Sequence, residues 1–295
     1  MKQKIIVILG PTASGKSDLA VKMARTFNGE IISADSRQVY KGLNLGSGKI
    51  SAREMHRIPH HLLDVANPKK RFSVESFKNL ARVKIKEIAE RGNVPIICGG
   101  TGFYIQTLID NTNFPEVAPN PKLRKKLGLQ SASRLFSMLK KLDYVCASTI
   151  DPRNKVRLIR AIEIAKSLGH VPKITQSSPY DSLQIGIDLP DKVLKEKISD
   201  RLLARLRKGM IREVINLRKK GLSWKRLDEL GLEYRFISRY LRKIITREEM
   251  IQSIQIESWH FAKRQRTWFR KNKRIMWFRP GEKRKILSAI TNFLE

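Results

Sequence analysis

The sequence predicts an α/β fold in which a parallel sheet is flanked by helices and a small helical domain is inserted. The apolar, β-branched run at residues 4–9 leads into a glycine-rich segment, and apolar residues at helical spacing follow that segment. Short apolar runs at residues 30–34 and 94–98 have the length and composition of buried strands. With 41% hydrophobic residues among 295, the chain can bury a core without disulfides.

The remaining elements follow from local patterns, taken in chain order. Residues 41–72 carry several glycines and prolines and are predicted to be mostly loop, and Ser73 begins a helix that continues to about residue 91. Residues 99–102, Gly-Gly-Thr-Gly, form a sharp turn into a helix that begins near Phe103. Further on, we expect strands at 183–189 and 274–279, and helices at 154–168, 192–207, 210–220, 234–242, 247–271 and 283–294.

The composition of the chain changes between residues 111 and 151. Prolines at positions 115, 119 and 121 precede a predicted helix whose basic residues are Lys122, Arg124, Lys125 and Lys126. We interpret residues 111–151 as a helical domain inserted into a core that consists of residues 1–110 and 152–295.

Residues 10–17, Gly-Pro-Thr-Ala-Ser-Gly-Lys-Ser, match G-x-x-x-x-G-K-[ST] between a predicted strand and a predicted helix. Glycines let successive backbone N–H groups turn toward an anion at a helix N-terminus, so the segment is predicted to bind a diphosphate. Lys16 would reach bridging phosphate oxygens, and the Ser17 hydroxyl would bind Mg²⁺. The candidate diphosphate-binding residues here are Gly10, Pro11, Thr12, Ala13, Ser14, Gly15, Lys16 and Ser17.

The chain has 60 lysines and arginines against 27 aspartates and glutamates, which gives a formal net charge of +33. This excess favours a polyanionic partner such as nucleic acid or acidic lipid, although a basic host proteome would also account for it. The two cysteines, Cys98 and Cys146, lack the spacing of a metal site or a disulfide. Neither a signal peptide nor a window of 18 apolar residues is found, so we expect a soluble, cytoplasmic protein that does not enter a membrane. We also expect the protein to be a monomer.

Asp35 is the one acidic residue that directly follows a predicted buried strand, at the end of the strand where ligands bind in parallel sheets. It could be a metal ligand, a helix N-cap or a general base. The side-chain amide of Gln38 can both donate and accept a hydrogen bond at the edge of an adenine base. Residues 263–274 hold seven basic residues and no acidic one, and could be a solvated helical face or a phosphate-binding surface beside a stacked base.

Six blocks of sequence, spread over nearly the whole chain, resemble the tRNA dimethylallyltransferase family. They are residues 10–17, 35–40 (Asp-Ser-Arg-Gln-Val-Tyr), 60–64 (His-His-Leu-Leu-Asp), 99–104 (Gly-Gly-Thr-Gly-Phe-Tyr), 157–163 (Arg-Leu-Ile-Arg-Ala-Ile-Glu) and 262–270 (Ala-Lys-Arg-Gln-Arg-Thr-Trp-Phe-Arg). The resemblance implies a P-loop-kinase-like core with an inserted helical domain that grips the anticodon stem-loop of tRNA. It also implies transfer of a dimethylallyl group from dimethylallyl diphosphate to the exocyclic amine of the adenosine immediately 3′ of the anticodon, with Mg²⁺ as cofactor.

The same resemblance assigns roles to individual residues. Asp35 matches the family's general base, Thr101 matches its residue at the reacting centre, and Arg201 matches an arginine that completes the diphosphate clamp. Thr101 could instead be an ordinary helix N-cap. The candidate tRNA-binding residues are Asp35, Ser36, Arg37, Gln38, Thr101, Arg124, Arg157, Arg160, Lys263, Arg264, Arg266 and Arg270.

The chain departs from the family pattern at Lys197, at Arg205 and at residues 259–261, Trp-His-Phe. Other functions also use a phosphate loop, namely a small-molecule or nucleotide kinase and prenyl transfer to a free adenine nucleotide. A kinase leaves the charge of +33 and residues 35–38 without a role, and a free nucleotide does not need so large a basic surface. An RNA-binding module without catalysis would not need Asp35 beside Lys16. We therefore predict prenyl transfer to tRNA.

Overall fold

The computed structural model describes residues 2–173, 175 and 177–295. The chain forms two compact units, which we name the core unit, Met1–Asn111 with Ser178–Glu295, and the inserted unit, Thr112–Ser177. Among the described helices, none combines the length and the apolar character that a bilayer crossing requires.

A parallel sheet is the centre of the core unit. The strands found in the described residues are β1 (Gln3–Leu9), β2 (Gly29–Ser33), β3 (His60–His61), β4 (Val94–Gly99), β5 (Tyr180–Ile187) and β6 (Ile275–Phe278). They lie in the order β3-β2-β4-β1-β5-β6, and all neighbouring pairs are parallel, which confirms the predicted fold class. Because β2, β4 and β1 are adjacent, the segments that follow them meet at one edge of the sheet.

The helices follow the strands in the expected alternation, with several short helices that the sequence patterns did not predict. In chain order they are α1 (Lys16–Thr26), α2 (Ala52–Met55), α3 (Val74–Glu90), α4 (Gly102–Ile109), α5 (Pro121–Gly128), α6 (Ala132–Leu142), α7 (Tyr144–Thr149), α8 (Lys155–Leu168), α9 (Asp191–Arg207), α10 (Met210–Lys219), α11 (Trp224–Leu230), α12 (Leu232–Leu241), α13 (Arg247–Phe269) and α14 (Lys283–Leu294). Helices α5 to α8 belong to the inserted unit, and the others belong to the core unit.

Helices cover both faces of the sheet. Along β1, the side chains of Ile5, Val7 and Leu9 pack with residues of α3 and α4. The alternate side chains, Ile6 and Ile8, pack with residues of α1 and α14 on the opposite face. A central strand that is buried on both sides needs a continuous apolar run, which is the pattern that the sequence shows at residues 4–9.

A second apolar cluster joins helices α9 to α13 of the core unit. Its buried members from these helices include Leu202, Met210, Leu217, Leu230, Tyr234 and Ile254. The same cluster contains Val39, Tyr40 and Leu43 from the segment that follows β2. This packing fixes residues 39–43 against the helices, and it thereby positions the loop that continues to residue 48.

The inserted unit has an apolar core of its own. Leu135 and Leu139 of α6 pack with Leu158 and Ile162 of α8, and all four side chains are fully buried. The structure corrects the predicted end of the insertion from residue 151 to Ser177, because the apolar face of α8 packs on α6.

A buried carboxylate connects the helices of the inserted unit. Glu163 of α8 accepts hydrogen bonds from Arg124 at 2.6 Å, from Arg160 at 2.5 Å and from the Asn120 N–H at 2.6 Å. Burial alone would raise the pKa of Glu163, but these hydrogen bonds outweigh burial and lower the pKa to about 2. Arg124 and Arg160 thus have a structural role within the inserted unit, but their side chains are partly exposed and their contacts with phosphate stay a prediction. Arg157 is exposed.

We expect the substitution Glu163→Gln to lower the free energy of unfolding by about 2–3 kcal/mol at neutral pH, because two partly exposed arginines lose their charged partner. Since its pKa is depressed in the folded state, Glu163 stabilises the protein above about pH 4.5 and loses this contribution as the pH falls toward 2. Thermal unfolding of the two proteins should differ at neutral pH and converge over that acidic range. A difference that is equally large at both ends would contradict this account.

Candidate active site

The phosphate loop connects the end of β1 to the start of α1. Gly10 has a φ of 153°, and a Cβ atom there would lie 2.4 Å from the Ile187 carbonyl oxygen, so the position requires glycine. Gly15, with a φ of 88°, is the N-cap of α1, and no side chain caps this end of the helix. The N–H groups of the first helical turn are therefore available to an anion.

Lys16 and Ser14 give the loop its polar interior. The Nζ atom of Lys16 donates to the Pro11 carbonyl oxygen at 3.2 Å. Burial lowers the pKa of Lys16, and the negative charge of Asp35 offsets this only in part. The Ser14 hydroxyl is buried, and no described residue forms a hydrogen bond with it. A buried ammonium, an unbonded buried hydroxyl and open N–H groups together suit the oxygens of a phosphate group.

Asp35 lies just beyond β2, at the same edge of the sheet. Its Oδ1 atom accepts the N–H of Arg37 at 2.8 Å and the N–H of Gln38 at 3.3 Å. Residues 36–39 form turns and no helix, so Asp35 is not a helix N-cap. The carboxylate of Asp35 forms no other hydrogen bond with the described residues. One oxygen is thus fixed by the backbone, and Oδ2 is left for a ligand.

Thr101 lies in the glycine turn between β4 and α4. It occupies the N-cap position of α4, but its hydroxyl forms no capping hydrogen bond. The Oγ1 atom instead accepts the N–H of Ser36 at 3.0 Å. A Cβ atom at Gly99 would lie 2.2 Å from the Ala34 carbonyl oxygen, so glycine allows the turn to pack directly on the segment that holds Asp35. The hydroxyl proton of Thr101 remains available as a donor.

Gln265 of α13 joins the phosphate loop to the glycine turn. Its Oε1 atom accepts the Thr12 N–H at 2.8 Å, and its Nε2 atom donates to the Gly100 carbonyl oxygen at 2.8 Å. Sequence reasoning did not single out Gln265, because it lies inside the basic segment 263–274. Its helical spacing from the apolar Ala262 and Phe269 is the signal that would have placed it on the buried face.

One cavity of about 260 Å³ brings the predicted site residues together. Its lining includes Thr12, Lys16, Ser17, Asp35, Ser36, Arg37, Gln38, Thr101 and Arg201. Apolar side chains that include Ala20, Ile31, Ile50, Leu63 and Phe261 line the same cavity. The phosphate loop, the segment from Asp35 to Gln38 and the glycine turn therefore open into a single space.

Arg201 and Gln38 meet at one backbone atom. The Nη2 atom of Arg201 donates to the Gly48 carbonyl oxygen at 2.8 Å, and the Nε2 atom of Gln38 donates to the same oxygen at 3.3 Å. Burial lowers the pKa of Arg201, and the neighbouring Arg205 acts in the same direction. The Oε1 atom of Gln38 accepts from Ser33 at 3.3 Å, so the amide is oriented before any ligand binds.

The predicted cationic surface on α13 divides into exposed and buried residues. Lys263, Arg264 and Arg270 are exposed. Arg266 is buried and bonded to Asp188 at 2.7 Å, with further bonds to Asp191 and to the Leu189 carbonyl oxygen. The prediction of a tRNA contact at Arg266 is therefore corrected, since its guanidinium group holds the segment after β5 against α13.

A family model, related sequences and a solved structure all identify the same family. A family model described as IPP transferase matches residues 38–272. The tRNA dimethylallyltransferase of Carboxydothermus hydrogenoformans is 39% identical over 312 aligned positions that cover 100% of both chains. The tRNA dimethylallyltransferase 2 of Treponema denticola is 42% identical and covers 92% of both chains.

A solved structure agrees with the sequence comparisons. The crystal structure of the tRNA isopentenylpyrophosphate transferase from Bacillus halodurans is similar, with a TM-score of 0.75 and 35% sequence identity. The alignment covers 100% of this chain and 96% of that one. The chain belongs to the IPP transferase family.

Proposed function

We propose that the protein transfers a dimethylallyl group from dimethylallyl diphosphate to the exocyclic amine of the adenosine immediately 3′ of the anticodon in tRNA. The observation that carries this proposal is the single cavity that is lined by both the phosphate loop and the segment from Asp35 to Gln38. The names of the similar proteins, tRNA dimethylallyltransferases, support the same reaction.

At the donor end, the bond that breaks joins the allylic carbon to the diphosphate oxygen, and its electron pair leaves with the oxygen. The N–H groups of the phosphate loop, Lys16 and Arg201 stabilise the negative charge that develops there. We propose that Thr101 donates its hydroxyl proton in a hydrogen bond to the bridging oxygen, since its own oxygen already accepts the Ser36 N–H.

A divalent cation, Mg²⁺, fits this donor end through the Ser17 hydroxyl. Among the described residues, no group of three or more histidine, cysteine, aspartate or glutamate side chains could hold a metal ion. A cation would therefore be bound by Ser17 together with the oxygens of the diphosphate. When bound, it would neutralise part of the charge on the leaving group.

At the acceptor end, the adenine amine is a weak nucleophile because its lone pair is delocalised into the ring. As its nitrogen forms the new bond to carbon, Oδ2 of Asp35 takes the proton that the amine loses. Gln38 would hold the edge of the adenine. The base has to leave the anticodon loop stack to enter the cavity, which costs a few kcal/mol.

The surplus positive charge supplies the contacts to the rest of the tRNA. The net charge is +33, and Arg157, Lys263, Arg264 and Arg270 are exposed cations. Cations of this kind bind the phosphate backbone without reading its sequence. We propose that the inserted unit contributes contacts to the anticodon stem.

The test is a competition between acceptors. The protein is incubated with Mg²⁺, labelled dimethylallyl diphosphate, unmodified tRNA and AMP, and the label in each acceptor is measured. We expect label in tRNA and none in AMP, because a free nucleotide does not engage the basic surface. Label in AMP would favour prenyl transfer to free nucleotides. In a parallel incubation with labelled ATP, phosphorylation of AMP without any prenyl transfer in the first incubation would favour a kinase.

A further inference from the structure

The loop at residues 44–48 connects the two ends of the proposed reaction. The Gly48 carbonyl oxygen accepts hydrogen bonds from Arg201, at the donor end, and from Gln38, at the acceptor end. Gly48 has a φ of 61°, and a Cβ atom there would lie 2.8 Å from Nη2 of Arg201. The position of this one carbonyl group therefore affects both side chains.

A single carboxylate holds the start of that loop. Glu213 of α10 accepts the N–H groups of Asn44 at 3.1 Å, Leu45 at 2.7 Å and Gly46 at 3.0 Å. Its Oε1 atom also accepts the hydroxyl of Tyr234 at 2.8 Å. Four hydrogen bonds to one charged group make a strong and directional anchor.

Two further contacts restrict the loop to this arrangement. Arg205 donates from Nη1 to the carbonyl oxygens of Leu45 at 3.0 Å and Gly46 at 3.1 Å, while its Nη2 atom binds Glu233 at 2.8 Å. A Cβ atom at Gly46 would lie 2.4 Å from the ring of Tyr234, so the loop lies directly on that ring. The loop thus has few ways to move without losing the Glu213 contacts.

We propose that Glu213 is a positioning residue for the transfer reaction: it fixes the loop at residues 44–48, so that the Gly48 carbonyl holds Arg201 and Gln38 in their working orientations. This inference rests on the proposed function only for the roles of those two side chains. Glu213 does not line the cavity, so it acts through the loop and not on the substrates. Sequence reasoning passed over it, because nothing local distinguishes it from other glutamates on helical surfaces.

A double-mutant cycle with inorganic diphosphate tests the donor half of the proposal. Calorimetry measures its affinity for the wild type, Glu213→Gln, Arg201→Ala and the double variant. We expect Glu213→Gln to weaken diphosphate binding about tenfold in the wild-type background, the size of one charged hydrogen bond. In the Arg201→Ala background the same change should have an effect of less than about twofold, because the route through Arg201 is already absent. Equal effects in the two backgrounds would overturn the proposal.

Controls separate positioning from loss of folding. Glu248→Gln removes the same charge from an exposed site on α13 and should leave the affinity unchanged. Tyr234→Phe removes one donor to Glu213 and retains the three backbone contacts. It should therefore weaken diphosphate binding less than Glu213→Gln does, and this effect should also disappear in the Arg201→Ala background. If Glu213→Gln does not fold, an equal effect of Tyr234→Phe in both backgrounds would overturn the proposal.

A failure of the positioning proposal can be distinguished from a failure of the proposed function. A wild type that binds diphosphate and follows the predicted cycle, but transfers no prenyl group to tRNA, would support the positioning role and overturn the proposed reaction. The opposite result is also possible: the wild type transfers the prenyl group, and Glu213→Gln has an unchanged diphosphate affinity and an unchanged kcat. That result would support the proposed reaction and overturn the positioning role.

Discussion

Replacing Asp35 with asparagine is expected to lower the rate of prenyl transfer by at least about 10²-fold, while the affinity for tRNA changes by no more than a few fold. Asparagine keeps the Oδ1 acceptor that binds the N–H groups of Arg37 and Gln38, so the turn should persist. What the variant loses is the oxygen that accepts the proton from the adenine amine. Single-turnover rates at saturating donor, together with a tRNA binding assay, measure the two quantities separately.

Asp151→Asn is the matched control for this experiment. Asp151 also accepts a backbone N–H two residues along, from Arg153 at 3.0 Å, but its side chain is 49% exposed, and it does not line the cavity. The control removes the same charge from the same kind of turn and should retain the wild-type rate. A normal turnover in Asp35→Asn would remove Asp35 from the mechanism.

Replacing Lys16 with alanine is expected to lower kcat/KM for dimethylallyl diphosphate by roughly 10²–10³-fold, since a cation that stabilises the leaving group is lost. The loop itself should keep its shape, because Gly10 and Gly15 set its backbone and Gln265 holds the Thr12 N–H. Steady-state kinetics with donor as the varied substrate gives the result.

Lys22→Ala serves as the control for Lys16→Ala. Lys22 lies on the same helix, α1, and is exposed, so its replacement changes the net charge equally without touching the cavity. We expect wild-type kinetics from it. Normal kcat and normal donor KM in Lys16→Ala would contradict the assignment of the phosphate loop.

Local sequence patterns predicted most of the regular elements of the core unit. The continuous apolar run of β1 and the helical spacing behind Ser73 each depend on neighbours within one element, so they can be recognised without the fold. The order β3-β2-β4-β1-β5-β6 depends on pairings between distant segments and was not predicted. The end of the insertion was misplaced for a related reason: periodicity identifies the apolar face of α8, but it does not reveal that α6 covers it.

The candidate site was predictable where its chemistry lies in a short motif. Lys16, Asp35 and Thr101 each follow a strand that ends at the same edge of the sheet, and the structure brings them to one cavity. Gln265, Glu213 and the buried role of Arg266 were not predicted, because each depends on partners far away in the sequence. A basic residue in a basic segment is usually solvated, and only the positions of Asp188 and Asp191 reveal otherwise.

The most direct test of the central claim is mass spectrometry of the tRNA product. Unmodified tRNA is incubated with the wild-type protein, Mg²⁺ and dimethylallyl diphosphate, then digested and sequenced by fragment masses. We predict one five-carbon group on the exocyclic amine of the adenosine immediately 3′ of the anticodon, and none with Asp35→Asn. Release of diphosphate with every adenosine unmodified, or a prenyl group at another position of the tRNA, would contradict the account.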